Sequence, residues 1–421
     1  MLGTLRGGAD RAGARPATGR RRAPAVRAVR AAVVVLAGAG LVAGVVPAAN
    51  ARDTVGAAAV GAAADPARRV DRAALDAGLR AVVAPGGATA ALGRVSENGH
   101  TLWKGAAGTA DLTTGEPAAA RDRFRIGSAT KTFVATVVLQ LVAEHRIGLA
   151  DPVEQHLPGV LHNGAGISIR QLLNHTGGIY NYTSDPAFAY DDEASFRTWL
   201  STDRWKSRTM AELVAVAETH PAYFPPGTDW HYSNTDYILL GMLIERTTGR
   251  SWQQEVDRRI IRPLGLGETT MPENDPTVPG RHTHGYAALP DGPVDITLFN
   301  PTIAGPAGAG ISTTADLAAF MSALLGGRLL GPAELAEMKH TTGLGRGADY
   351  GLGLERTPTP CGDFWGHRGD SLGYSSIMLS DDTGRRQVVL SRNPYDSAGL
   401  PSSEAAFTRL VTAAACAGRT A

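Results

Sequence analysis

The sequence predicts an α+β fold, in which an antiparallel sheet is flanked by helices from both ends of the chain and a mostly helical second unit is inserted. Three observations carry this. Short strand-like segments joined by tight turns cluster near both ends, while the stretch from about Asp151 to Asp295 offers helical segments and Pro/Gly-rich loops. Apolar residues at helical spacing also open and close the folded part. The expected organisation is therefore a body made of residues 70–150 and 296–421, with residues 151–295 as the insertion. At 421 residues, 43% hydrophobic and 19% charged, the chain can bury a sizeable core.

Taken in order, residues 1–51 read as an export signal. Eight arginines against the single Asp10 precede the apolar run Ala31–Val46, and Ala49-Asn50-Ala51 supplies a small-residue cleavage site. Cleavage is placed after Ala51, giving a secreted protein. The alternative, a membrane anchor, is disfavoured because about sixteen Gly/Ala-rich residues are short for a ~30 Å hydrocarbon core. Removing a leader of +7 from a chain of +1 leaves about −6, so no basic patch argues for nucleic acid. Residues 52–69 read as a flexible lead-in.

Val70–Val83 is the first predicted helix. Ala88–Val95 and Thr101–Gly108 are predicted strands, joined by the turn Glu97-Asn98-Gly99. Ser128–Glu144 is apolar over most of its circumference, the mark of a buried helix. Leu239–Arg246, Trp252–Ile261 and Ala315–Leu325 are further helices. Asp363–His367, Ser375–Ser380 and Arg386–Ser391 form a meander, and Glu404–Ala415 a closing helix. In an exported protein the two cysteines, Cys361 and Cys416, read as one disulfide, worth about 4 kcal/mol in the chain-entropy model. Two free buried thiols are the alternative.

Three segments carry chemistry. In Ser128-Ala129-Thr130-Lys131 the i, i+3 spacing puts an amine beside a hydroxyl at a helix N-terminus. A buried lysine loses its charged form and can take the serine proton. The chain has only three other lysines, Lys104, Lys206 and Lys339, so lysine here stands out against arginine use elsewhere. In Tyr232-Ser233-Asn234, extended-chain alternation points the phenol and carboxamide to one side. In His367-Arg368-Gly369, on a predicted edge strand, the glycine would let a ligand backbone lie close.

In this order and spacing the three segments resemble the serine β-lactamase and penicillin-binding-protein superfamily. Within it the chain is similar to the class C-like branch of exported D-alanyl-D-alanine carboxypeptidase/transpeptidases, where His-x-Gly stands in place of Lys-Thr-Gly. The resemblance runs from about Asp71 to Cys416. It includes Asp122–Ser128, Leu172-Leu173-Asn174-His175-Thr176-Gly177-Gly178, Gly308–Ser312, Tyr350–Leu354 and the cysteine pair. It implies a β-lactamase/transpeptidase-like fold and a serine hydrolase working without cofactor or metal. Ser128 would be acylated, Lys131 and Tyr232 would manage its proton, and His367 would polarise Tyr232. The backbone N–H groups of Ser128 and Asp370 would form the oxyanion hole, and Asn234 would bind the acyl-side amide. Implied substrates are D-amino-acid peptides of peptidoglycan and β-lactams, acted on by a monomer free of membrane after processing.

The specificity end departs from the pattern. Carboxypeptidases of this branch hold the terminal carboxylate with an Arg just past the Gly-Leu-Gly-Leu segment, where this chain has Glu355 and then Arg356. Alternation puts those two on opposite faces, so a bulge would be needed to bring Arg356 in. Arg368 is a second candidate clamp, whereas Glu355 and Asp370 suit an amine. A D-alanyl-D-alanine carboxypeptidase is the first expectation. The alternatives are a D-aminopeptidase or esterase of the same fold, and a non-catalytic receptor for cell-wall peptides. His282-Thr283-His284 lacks a third ligand at metal-site spacing, Arg258-Arg259 reads as solvated, and Asn181-Tyr182-Thr183 fits a glycosylation acceptor pattern.

Overall fold

The computed structural model describes residues 70–419 apart from residues 85, 191 and 397, so the predicted leader (1–51) and lead-in (52–69) lie outside the described residues. The frame is a seven-stranded antiparallel sheet in the order β3-β2-β1-β11-β10-β9-β8. Its strands are β1 (Ala88–Glu97), β2 (His100–Asp111), β3 (Glu116–Pro117), β8 (Glu355–Thr359), β9 (Gly362–Ser371), β10 (Tyr374–Asp381) and β11 (Arg386–Pro394). Short pairs complete the strands: β4 (Phe124–Arg125) with β7 (Ile311–Ser312), and the hairpin β5 (Tyr286–Leu289) with β6 (Gly292–Asp295). The turn between β1 and β2 has Asn98 and Gly99 both at positive φ (51° and 78°), the geometry that makes Asn-Gly a hairpin signal.

Both faces of the sheet are covered, which is why β1, β10 and β11 are buried nearly end to end instead of alternating. On one face α1 (Arg72–Val83) and α12 (Leu400–Cys416) pack together over Val95, Ile377, Leu379, Val388 and Leu390. The intervening residues Leu92, Met378 and Val389 face the opposite way, into a larger core with α2 (Thr130–Ala143). That core also takes in α7 (Asn234–Thr248) and α10 (Thr314–Leu325). Between α2 and α7 run four short helices: α3 (Val153–His156), α4 (Ile169–Leu173), α5 (Glu193–Ser201) and α6 (Met210–Glu218). After α7 come α8 (Trp252–Val256) and α9 (Arg262–Leu264), and α11 (Pro332–Lys339) precedes β8. Cys361, in the β8–β9 turn, is disulfide-bonded to Cys416 at the end of α12.

Three expectations need correcting. The Trp252–Ile261 helix changes pitch, with a π-turn over Asp257–Ile261. Arg259 is largely buried, bonded to Glu255 and Glu144, because the π-turn lays it against the end of α2. His367 does not sit on an edge strand, since β8 lies outside β9. The pairing with β8 nevertheless ends at Gly366, so from His367 onward the outer side of β9 is left unpaired by β8.

Candidate active site

Ser128 lies in a 3-10 turn, Gly127–Ala129, that leads into α2 instead of in the first α-turn the sequence predicts. In 3-10 geometry residues i and i+3 eclipse, which stacks Lys131 on Ser128. Lys131 Nζ is 3.1 Å from Ser128 Oγ, and donates to Asn234 Oδ1 at 2.8 Å and to the Ala307 carbonyl at 2.7 Å. The amine is fully buried, and burial pushes its pKa well below the usual lysine value, an effect Asp236 opposes. A neutral amine has two N–H groups and one lone pair. Asn234 and Ala307 take both N–H groups, so the lone pair is left to face the serine hydroxyl.

Tyr232 closes the other side, with its ring centroid 4.7 Å from Lys131 Nζ. Its hydroxyl is buried without a partner in hydrogen-bond geometry. Burial drives the phenol pKa well up, and the Ser128 hydroxyl pulls the other way. Asn234 starts α7 just after Tyr232. Its backbone N–H donates to Asn181 Oδ1 at 3.0 Å and its Nδ2 to Thr183 Oγ1 at 3.2 Å. Alternation thus brings Tyr232 and Asn234 to one amine, where the Asn234 carboxamide bridges Lys131 and Thr183. Asn181 is buried, so the acceptor pattern there belongs to the wall of the site and not to the surface.

The hydrogen bonds of His367 go to groups other than Tyr232. Its Nε2 is bonded to the Tyr350 hydroxyl at 2.8 Å, its Nδ1 to the Arg368 carbonyl, and its ring lies 6.4 Å from that of Tyr232. Burial, reinforced by Lys131, lowers its pKa to about 3. Gly369 is where the fold itself needs glycine: a Cβ there would overlap the Ile126 carbonyl. Likewise Gly127, at φ 49°, has no room for a side chain against the Asp370 backbone. The backbones of Ser128 and Asp370 are therefore brought side by side.

At the specificity end the two arginines separate. Arg356 bonds Asp349, its Nε at 2.8 Å, and reaches Asp363 at 3.4 Å, so its guanidinium is held by two acids. No bulge rescues it, because β8 pairs with β9 in unbroken register from Glu355 opposite Gly366. Glu355 instead shares a face with Arg368 and Asp370 and is close enough to act on Tyr232. Burial raises its carboxyl pKa, against the pull of Arg368, which is itself exposed. His284 is bonded to Asp295 and His282 to the Gly280 carbonyl. The sequence motifs left His175, Asp236, Tyr350 and the Ala307 carbonyl without roles. His175 and Tyr350 lay inside noted segments, whereas nothing marked Asp236.

A family model described as Beta-lactamase matches residues 72–406. The chain belongs to the beta-lactamase family. Its sheet, its helices and the Ser-x-x-Lys at the head of α2 are those of a serine hydrolase of the beta-lactamase/penicillin-binding-protein fold. A D-stereospecific amidohydrolase from Streptomyces sp. has 41% identity and a TM-score of 0.70, over 79% of this chain and 98% of that one. The D-amino acid amidase from Ochrobactrum anthropi SV3 has 29% identity and a TM-score of 0.69, over 81% and 97%. Penicillin-binding protein 4* of Bacillus subtilis (strain 168) is 28% identical over 330 residues, 73% of this chain and 70% of that protein.

Proposed function

We propose that this beta-lactamase family member is an acyl-enzyme-forming hydrolase of amides or esters of D-amino acids, with Ser128 as nucleophile. The observation that carries the reading is the buried Lys131 amine, whose two other contacts are acceptors and whose third is Ser128 Oγ at 3.1 Å. Ser128 Oγ attacks the substrate carbonyl carbon as its proton passes to Lys131 Nζ. The oxyanion is received by the N–H groups of Ser128 and Asp370, donors commonly worth a few kcal/mol each in the barrier. Lys131 then passes that proton by way of the Tyr232 hydroxyl to the leaving nitrogen or oxygen as its bond to the carbonyl carbon breaks; water next attacks the acyl carbon, giving its proton to the same relay, which returns it to Ser128 Oγ as the acid departs.

Substrate class follows from charge. With Arg356 tied to Asp349 and the Glu355 carboxyl within electrostatic reach of Tyr232, an acid stands at the position expected for the carboxylate clamp. This favours an amide, ester or amine-bearing substrate over a free carboxylate, and the likeness to the amidohydrolase and the amidase supports it. The second reading, a D-alanyl-D-alanine carboxypeptidase, is favoured by the exposed Arg368 and by the likeness to Penicillin-binding protein 4*.

The test is intact mass of the protein quenched during turnover of D-phenylalanine amide, p-nitrophenyl acetate and an N-acylated peptide ending in D-Ala-D-Ala. An adduct that Ser128→Ala abolishes, with the amide or ester turned over faster, is expected. Faster release of D-Ala would transfer the assignment to the carboxypeptidase, and no adduct with any substrate would leave a non-catalytic receptor.

A further inference from the structure

Among the described residues only Asn98, His145 and His175 combine a side chain with positive φ, and His175 is fully buried at φ 63°. A non-glycine residue is strained there and persists only where its surroundings enforce it. The surroundings of His175 converge on Tyr232. The His175 carbonyl accepts the N–H of His231 at 3.1 Å, and the N–H of Ser233 lies 3.4 Å from its Nδ1. The imidazole packs on the Tyr232 ring between them, centroids 4.4 Å apart. The same Nδ1 is bonded at 2.7 Å to Asp236 Oδ2, on the helix that begins just past Tyr232.

We infer that His175, anchored by Asp236, is the positioning residue for the Tyr232 phenol: it holds residues 231–233 so that the hydroxyl stays in register with Ser128 and Lys131. This rests on the acyl-enzyme reading above. Neither group needs to transfer a proton. Burial lowers the pKa of His175 and raises that of Asp236, the histidine depressed further by Lys131, His367 and His231. The pair acts through shape and hydrogen bonding. Tyr237 and Tyr350 wall the imidazole at centroid distances of 5.4 and 5.0 Å, leaving it no second seat.

The test follows the nitrophenolate burst from p-nitrophenyl acetate, which reports acylation. Asparagine tolerates the left-handed conformation, so His175→Asn keeps the backbone clamp and removes the ring. A misplacement of about 1 Å costs on the order of 100-fold in rate. His175→Asn is expected to slow the burst by about 30- to 100-fold with KM changed less than about threefold. Asp236→Asn should slow it by about tenfold. In a Tyr232→Phe background, followed at higher enzyme concentration, neither substitution should slow the burst further. A burst as fast as the parent's in folded His175→Asn, or the full loss repeated in the Tyr232→Phe background, overturns the inference. If His175→Asn does not fold, Asp236→Asn with and without Tyr232→Phe decides by the same comparison. A parent that shows no burst refutes the acyl-enzyme reading instead, so the two failures are distinct.

Discussion

Lys131 differs from the chain's other lysines in having no water to solvate it. Its value as a base depends on losing its charge, which arginine cannot do near neutral pH. Lys131→Arg is therefore expected to lower the acylation rate by about 10²- to 10⁴-fold, the usual worth of a placed general base. The parent rate should fall as pH drops through the depressed lysine pKa, because protonation then consumes the lone pair facing Ser128. His367, neutral down to about pH 3, does not contribute that limb. Stopped-flow burst rates between pH 4 and 9 check both points, and a Lys131→Arg burst matching the parent's would remove the lysine from proton transfer. This chemistry was legible in the sequence because it is local: i, i+3 spacing brings Ser128 and Lys131 together whatever the rest of the fold does. The opposite facing of Glu355 and Arg356 was legible for the same reason, from a period of two. The Ala307 carbonyl and Asp236 were not, since a backbone acceptor has no residue signature and a buried carboxylate looks like any other in the sequence. Asn181 was misleading, because a surface pattern was occupied by a side chain turned inward to hold the N–H of Asn234.

At the scale of elements, the site is the seam between β9 and the 3-10 turn before α2. Two glycines from distant parts of the chain let these pieces touch, Gly127 against Asp370 and Gly369 against the Ile126 carbonyl. A methyl at Gly369 would have to push β9 away from the turn that carries Ser128, separating the two N–H groups proposed to receive the oxyanion. Gly369→Ala is expected to cost about 1–3 kcal/mol of stability, as overpacking does. It should also slow acylation on the order of 100-fold. Urea denaturation and the nitrophenyl acetate burst read these out together, and parent-like values in both would mean that the seam yields freely. The sequence pointed to Gly369 for closeness but could not name the Ile126 carbonyl, because only the assembled fold reveals that residue 126 arrives there. It also placed His367 on an edge, which holds for hydrogen bonding from residue 367 on but not for the strand as a whole.

At the scale of the whole molecule, a sheet covered on both faces supplies the rigidity that lets the chain bury so many ionisable groups at one point. Lys131, His175, Asp236 and His367 all lie in the interior between the sheet and the helices that run from α2 to α7. That concentration has a thermodynamic consequence. An unfolded histidine takes up a proton below about pH 6.5, whereas folded His367 refuses one until about pH 3. Between those values the unfolded state binds more protons, so stability falls as pH falls, by about 1.4 kcal/mol per pH unit for each such histidine. The contribution is fully present above pH 6.5 and is lost on acidification toward pH 3. His367→Gln keeps a polar side chain of similar reach but cannot titrate. Its stability loss between pH 6.5 and 4.5 should be smaller than the parent's by about 2–3 kcal/mol. Urea melts at the two pH values measure the difference directly. Parallel losses in parent and variant would show that His367 gains its proton in the folded state as readily as in the unfolded one, and with that the dry interior on which the neutral Lys131 depends would be lost as an explanation.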